Sequence, residues 1–119
     1  MHEMHEMLKV VKDFHPYPAG RYPEDGPGNG TTFREKHLVP AIKRGAHLTI
    51  DLDGAPGYPS SFLEEAFGGL IRAGIEQKTI RELLEFQSVQ PGFSRYIGKI
   101  WEHIDRAASL AKAGQKQPS

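Results

Sequence analysis

The run HLTIDLDG at residues 47–54 sets Leu48, Ile50 and Leu52 against Thr49, Asp51 and Asp53 in strict alternation. Successive side chains of a strand point to opposite faces, so this run predicts a strand with one apolar face, ended by Gly54 and Pro56. On both sides of it the apolar period becomes helical. Upstream, Phe33, Leu38, Ala41 and Ile42 share one helical face until Gly45 stops the pattern; downstream, Phe62, Leu63, Ala66, Phe67, Leu70 and Ile71 do the same. A strand bracketed by two amphipathic helices points to an α/β architecture, with helices packed on a sheet.

The rest of the chain fits that plan. Leu8, Val10, Val11 and Phe14 predict a strand over about 7–14, followed by the proline- and glycine-rich stretch HPYPAGRYPEDGPGNG, which is long for a connection inside a compact domain. Ile80, Leu83 and Leu84 predict a short helix, FQSV a last edge strand, and Phe93, Ile97, Ile100, Trp101, Ile104 and Ala108 a long final helix. Three pairs, Thr32–Glu35, Ser61–Glu64 and Thr79–Glu82, have the spacing of capping boxes and predict helix starts. The expected order is β, α, β, α, α, β, α: a small mixed sheet covered mostly on one side. The expected domain spans 7–112, between a flexible segment 1–6 and a disordered polar tail 113–119.

Composition excludes several classes of function. Lysine and arginine number 15 and aspartate and glutamate 15, so the bulk charge gives no reason to expect nucleic acid or an anionic membrane surface. The absence of cysteine removes disulfides, thiolate metal sites and thiol nucleophiles, and suits a reducing compartment, with the cytoplasm as the default. No apolar run approaches the roughly 18 residues of a membrane span, and MHEMHEM is acidic where a signal peptide is basic.

The segment GYPSSFLEEAFGGL, residues 57–70, carries the main candidate site. Ser60 and Ser61 stand at the start of a helix whose first turns contain Glu64 and Glu65. In the structural reading Ser61 caps the helix and Ser60 belongs to the loop. Gly68 and Gly69 cost roughly 1 kcal/mol each inside a helix, so a neighbour is expected to pack closely there. Arg34, in the first turn of its helix and therefore opposed to the helix dipole, is expected to pair with Asp25 or Asp53. Asp51 and Asp53 share a strand face, and with Glu64 or Glu65 form the acidic set of an alternative reading, a small metal-dependent hydrolase or a nucleotide-binding domain. Gly26, Gly28 and Gly30 would supply that domain's loop, but no lysine follows at P-loop spacing. His2 and His5 have the spacing of one helical face and of a transition-metal pair, whereas His15, His37, His47 and His103 read as scattered surface residues.

Three blocks carry a resemblance: Asp25-Gly26 with Gly30 and Phe33-Arg34-Glu35; Asp51 with Asp53-Gly54; and Ser60 through Leu70. Over residues 14–108 the chain resembles the STAS-like family of unknown function, DUF4325, related in plan to the STAS domains of anti-sigma-factor antagonists. In those antagonists a strand ends in aspartate and a serine at the start of the next helix is phosphorylated by a histidine-kinase-like ATPase. The resemblance implies a STAS-like α/β fold and a non-enzymatic regulatory or interaction module, with Ser60 and Ser61 as phosphorylation candidates. Asp25, Gly30, Arg34, Asp51, Asp53, Gly54, Glu64, Glu65, Gly68 and Gly69 are its supporting residues. It implies a protein partner, an ATPase-type kinase, with no cofactor or metal, no nucleic acid and no membrane, in a monomer or weak homodimer. One departure stands out: the antagonists carry aspartate directly before the serine pair, and this chain has Tyr58-Pro59.

Overall fold

The computed structural model describes residues 4–116. Three strands, β1 (His5–Lys9), β2 (His47–Asp51) and β3 (Leu84–Gln87), form a sheet in the order β1-β2-β3. Both pairings are parallel, with Leu8 opposite Ile50 and Ile50 opposite Phe86. The α/β plan is the expected one, but the sheet is parallel throughout, not mixed. Helix α1 covers 30–43, α2 covers 60–72, α3 is Gln77–Leu83 and α4 is Ser94–Lys116.

Strand order decides where the helices go. Right-handed crossovers that step twice in the same direction place every connecting helix on one face of the sheet. The inward residues Leu8, Leu48, Ile50 and Leu84 are accordingly buried, together with Phe33, Leu38, Phe62, Phe67, Leu70, Ile80, Ile100 and Ile104 of the helical layer. The outward residues His5, Met7, Lys9, Glu85 and Gln87 are exposed, and His47, Thr49 and Asp51 are half-buried. Parallel sheets are usually covered on both faces. Here the polar half of the β2 alternation makes an open face tolerable.

The first strand is shorter than the expected 7–14. It stops at Lys9, whose amide donates to Asp13 Oδ2 at 2.8 Å, and a single wide turn over Val10–Phe14 closes with His15 N–H on Val10 O at 3.0 Å. The turn keeps Val10 in the core and brings the Phe14 ring onto Phe33 of α1, with ring centres 5.0 Å apart.

All three expected capping boxes are displaced. Asn29 caps α1, its Oδ1 accepting from Thr32 N at 2.8 Å, so Thr32 lies three residues inside. Helix α2 starts after Pro59 and α3 after Glu76, neither with a side-chain cap. An extended residue placed before the Ser or Thr begins each helix earlier, leaving Ser61 and Thr79 as ordinary first-turn residues.

Helices α1 and α2 each contain a wide π turn, at Arg34–Leu38 and Glu64–Gly68, where an amide bonds the carbonyl five residues back: Val39 to Arg34 and Gly69 to Glu64. In α1 the π turn runs directly into Val39-Pro40, and a proline has no amide to give a regular turn. Helix α1 ends at Gly45, φ 74°, with Ala46 N–H on Ala41 O. Secondary structure reaches past the expected domain bounds on both sides, from His5 to Lys116; residues 1–3 and 117–119 lie outside the described residues.

Candidate functional site

The carboxyl ends of parallel strands face one way, so the β1–α1 loop, the β2–α2 loop and the start of α2 share one end of the domain. Tyr17 and Pro18 from the first loop and Pro56, Tyr58 and Pro59 from the second, with Tyr96 of α4, line a shallow cavity of about 430 Å³ there. Tyr58 is buried and its hydroxyl donates to Leu52 O at 2.7 Å; burial, with Asp51 and Asp53 nearby, raises its pKa well above the usual phenol value. This bond fixes the loop that presents Ser60 and Ser61.

Ser60 is exposed and Ser61 half-buried, in the first turn of α2. Neither hydroxyl caps the helix: Pro59 is the N-cap residue and contributes no side-chain bond, while Leu63 N–H returns to Pro59 O. The expected role of Ser61 as cap is thereby corrected.

One turn further on, Glu64 and Glu65 sit among three arginines. Arg72 holds Glu64 in a two-pronged pair, at 2.7 and 3.1 Å, and Arg21 donates to the same carboxylate at 2.5 Å. These partners, Arg72 first, hold the Glu64 carboxyl at about 2, far below its ordinary value. Glu65 is buried; it meets Arg34 at 2.9 Å, Thr31 Oγ1 at 3.3 Å, and Arg72 and Arg21 more loosely at 3.5 and 3.6 Å. Three guanidinium groups over two carboxylates leave one positive charge in excess.

Arg34 therefore pairs with Glu65, not with Asp25 or Asp53. It reaches across from α1 and also donates to the Glu65 carbonyl, which the π turn exposes because Gly69 N–H bonds Glu64 O. The glycine pair makes room for this. A Cβ on Gly69 would collide with the Arg34 guanidinium, and one on Gly68 would stand 2.6 Å from Glu64 Oε2. Gly30 serves the same contact from α1, where a Cβ would lie 2.9 Å from Phe62 O and 3.0 Å from Ala66 N. The close approach expected at Gly68-Gly69 is thus an arginine between two helices.

Other expected site residues are occupied elsewhere. Asp25 accepts from the amides of Arg21 and Tyr22, at 3.1 and 2.9 Å, and shapes the loop that carries Arg21. Asp53 accepts from Ser88 Oγ at 2.5 Å and from the amides of Val89 and Gln90; the Ser88 bond leads in lowering its pKa, and the carboxylate ties the β2 end to the loop after β3. Asp51 Oδ1 accepts from Asp53 N, and the Gly54 amide donates to Gln90 at 3.0 Å. Asp51, Asp53, Glu64 and Glu65 do not converge, and among the described residues no group of three or more histidines, aspartates and glutamates is placed to hold a metal. His37 and His103 are half-buried, which lowers the pKa of each, and His47 stacks on His5, so these three are not the scattered surface residues expected. His5 lies on a strand, and the expectation for its pairing with His2 falls outside the described residues.

Sequence reading missed Arg21, Arg72 and Thr31. Arg72 follows Glu64 by eight residues, about 80° apart on a regular helix, so the two share a broad face without being aligned. The π turn adds the residue that brings the two into line. Arg21 gave no signal, because its place depends on the fold of an irregular loop, pinned by Gly30 N–H on Gly20 O and Thr31 N–H on Arg21 O.

Residues 29–92 match the model of the STAS-like domain of unknown function, DUF4325. The matched span holds Arg34, Ser60, Ser61, Glu64, Glu65 and the Gly68-Gly69 pair, and so most of the arginine-glutamate site. The chain belongs to this family. In this DUF4325 chain Arg21 and Asp25 lie before the matched span, although they complete the same site. No curated protein and no solved structure matches the chain significantly. No helix among the described residues is long and apolar enough to cross a membrane.

Proposed function

We propose that this STAS-like domain is a non-enzymatic regulatory module that binds a protein partner through the end bearing Ser60 and Ser61, with phosphorylation of one of these serines as the switch. An ATPase-type kinase of the histidine-kinase-like class is the proposed partner, by analogy with anti-sigma-factor antagonists.

The observation that carries the reading is the uncommitted state of the serine pair. Ser60 is exposed, neither hydroxyl is a cap, and both sit at a helix start whose free amides and dipole favour a phosphate. Glu64 and Glu65 would repel a dianion if bare, but Arg21, Arg34 and Arg72 neutralise them. A phosphate in the first turn would compete with these carboxylates for the exposed arginines, Arg21 and Arg72. That competition would change the partner surface without dismantling the buried Arg34–Glu65 contact.

Mass spectrometry of the protein from its native host, with the kinase partner present, is expected to find phosphate on Ser60 or Ser61. Titration of that ATPase against Ser60→Asp and Ser61→Asp is expected to show altered affinity with an unchanged circular dichroism spectrum. Two unmodified serines, with both variants binding as the parent does, would refute the switch.

A further inference from the structure

The open face of the sheet carries a set of soft and borderline metal ligands that the site at the other end does not use. His5 of β1 and His47 of β2 are register partners, and their rings stack with centres 5.1 Å apart and planes 28° apart. Met7, two residues along β1 from His5, lies on the same face and is 50% exposed. A strand places His5 and Met7 about 6.6 Å apart and neighbouring strands about 4.8 Å apart, so one ion above the sheet is within reach of all three flexible side chains.

Met7 sits at the centre of β1 on the solvent-facing side, which leaves its thioether accessible beside the two imidazoles. Imidazoles bind copper, nickel and zinc, whereas a thioether selects the soft monovalent copper ion. Both imidazoles also border a cavity of about 310 Å³ with Thr49, Glu85 and Arg81. Arg81, the cation at that rim, is held by Asp105 at 2.7 Å and lies over the Trp101 ring at 5.0 Å.

We propose that His5, His47 and Met7 form a binding site for a single copper(I) ion on the uncovered face of the sheet. Rotation of each imidazole about its Cβ–Cγ bond would direct one nitrogen of each ring at the ion, and the Met7 sulfur would supply the third ligand. The ion would staple edge strand β1 to β2.

The test is an anaerobic titration of the full chain against copper(I) held by bicinchoninate, with ascorbate present. The protein is expected to withdraw one equivalent, and binding should weaken about tenfold or more in His47→Ala, His5→Ala and Met7→Leu. His2→Ala and Met4→Leu should bind as the parent does. Because the three ligand positions lie on the outward side of the sheet, away from the helical layer, circular dichroism should show each variant folded. As a readout without substitution, copper(I) should shift the Met7 methyl and the His5 and His47 ring signals in NMR spectra of the parent chain. Failure to withdraw copper, or binding that is lost in His2→Ala and kept in His47→Ala, would overturn the site. Binding indifferent to Met7→Leu would overturn the thioether assignment.

Discussion

The guanidinium of Arg34 occupies the space that a methyl group on Gly69 would fill, and from there it reaches both the backbone and the side chain of Glu65. An exposed helical glycine replaced by alanine gains roughly 0.5–1 kcal/mol. At Gly69 the methyl would instead displace an arginine from a buried carboxylate. Gly69→Ala is expected to destabilise the domain by about 1–3 kcal/mol in urea unfolding. Gly98→Ala, on an exposed part of α4 with open space at its Cβ, should stabilise it.

Removing Arg34 leaves Glu65, 7% exposed, with the Thr31 hydroxyl and the looser Arg21 and Arg72. Arg34→Ala should cost about 3 kcal/mol, as for other buried pairs deprived of one partner. Arg34→Lys should recover part of it, because the ammonium keeps the positive charge but is more strongly hydrated and lacks the preorganised planar guanidinium that fits between the helices. A double-mutant cycle with Glu65→Gln, read by chemical denaturation, would give the coupling; additive effects would contradict the contact.

Acid should act through Glu64. Its folded pKa is about 2 and its ordinary value 4.5, so the group binds protons more readily when unfolded. Its stabilising contribution is therefore complete above about pH 5 and is lost as pH falls from about 4.5 toward 2. Urea midpoints measured across that window should fall in the parent and fall less steeply in Glu64→Gln. Asp53, lowered in the same direction, accounts for part of the remaining slope, which Asp53→Asn should reduce.

The displaced caps make a paired prediction. Asn29→Ala removes a buried cap that bonds Thr32 N and, through its amide, Gly26 O, and should cost about 1–2 kcal/mol. Ser61→Ala removes no cap and should stay within about 0.5 kcal/mol. A Ser61→Ala loss as large as that of Asn29→Ala in thermal or urea unfolding would contradict the geometry at the start of α2.

The alternation of Leu48, Ile50 and Leu52 and the helical stripes of Phe33–Ile42 and Phe62–Ile71 determined the class of fold, because burying one face is a local requirement written at the period of each element. The same local logic marked Gly68-Gly69 as a place of close approach and Ser60-Ser61 as the start of a helix. Helix caps were less legible: a residue able to cap competes with its neighbours, and the path of the preceding loop chose Asn29 over Thr32 and Pro59 over Ser61. Only the tertiary structure decided that the sheet is parallel with one bare face, since strand direction depends on where each helix returns the chain. It alone assigned Arg34 to Glu65 and brought Arg21 and Arg72 to Glu64. Those contacts join residues up to 43 positions apart, and a carboxylate's partner is set by which guanidinium the packing of two helices and a loop brings within reach.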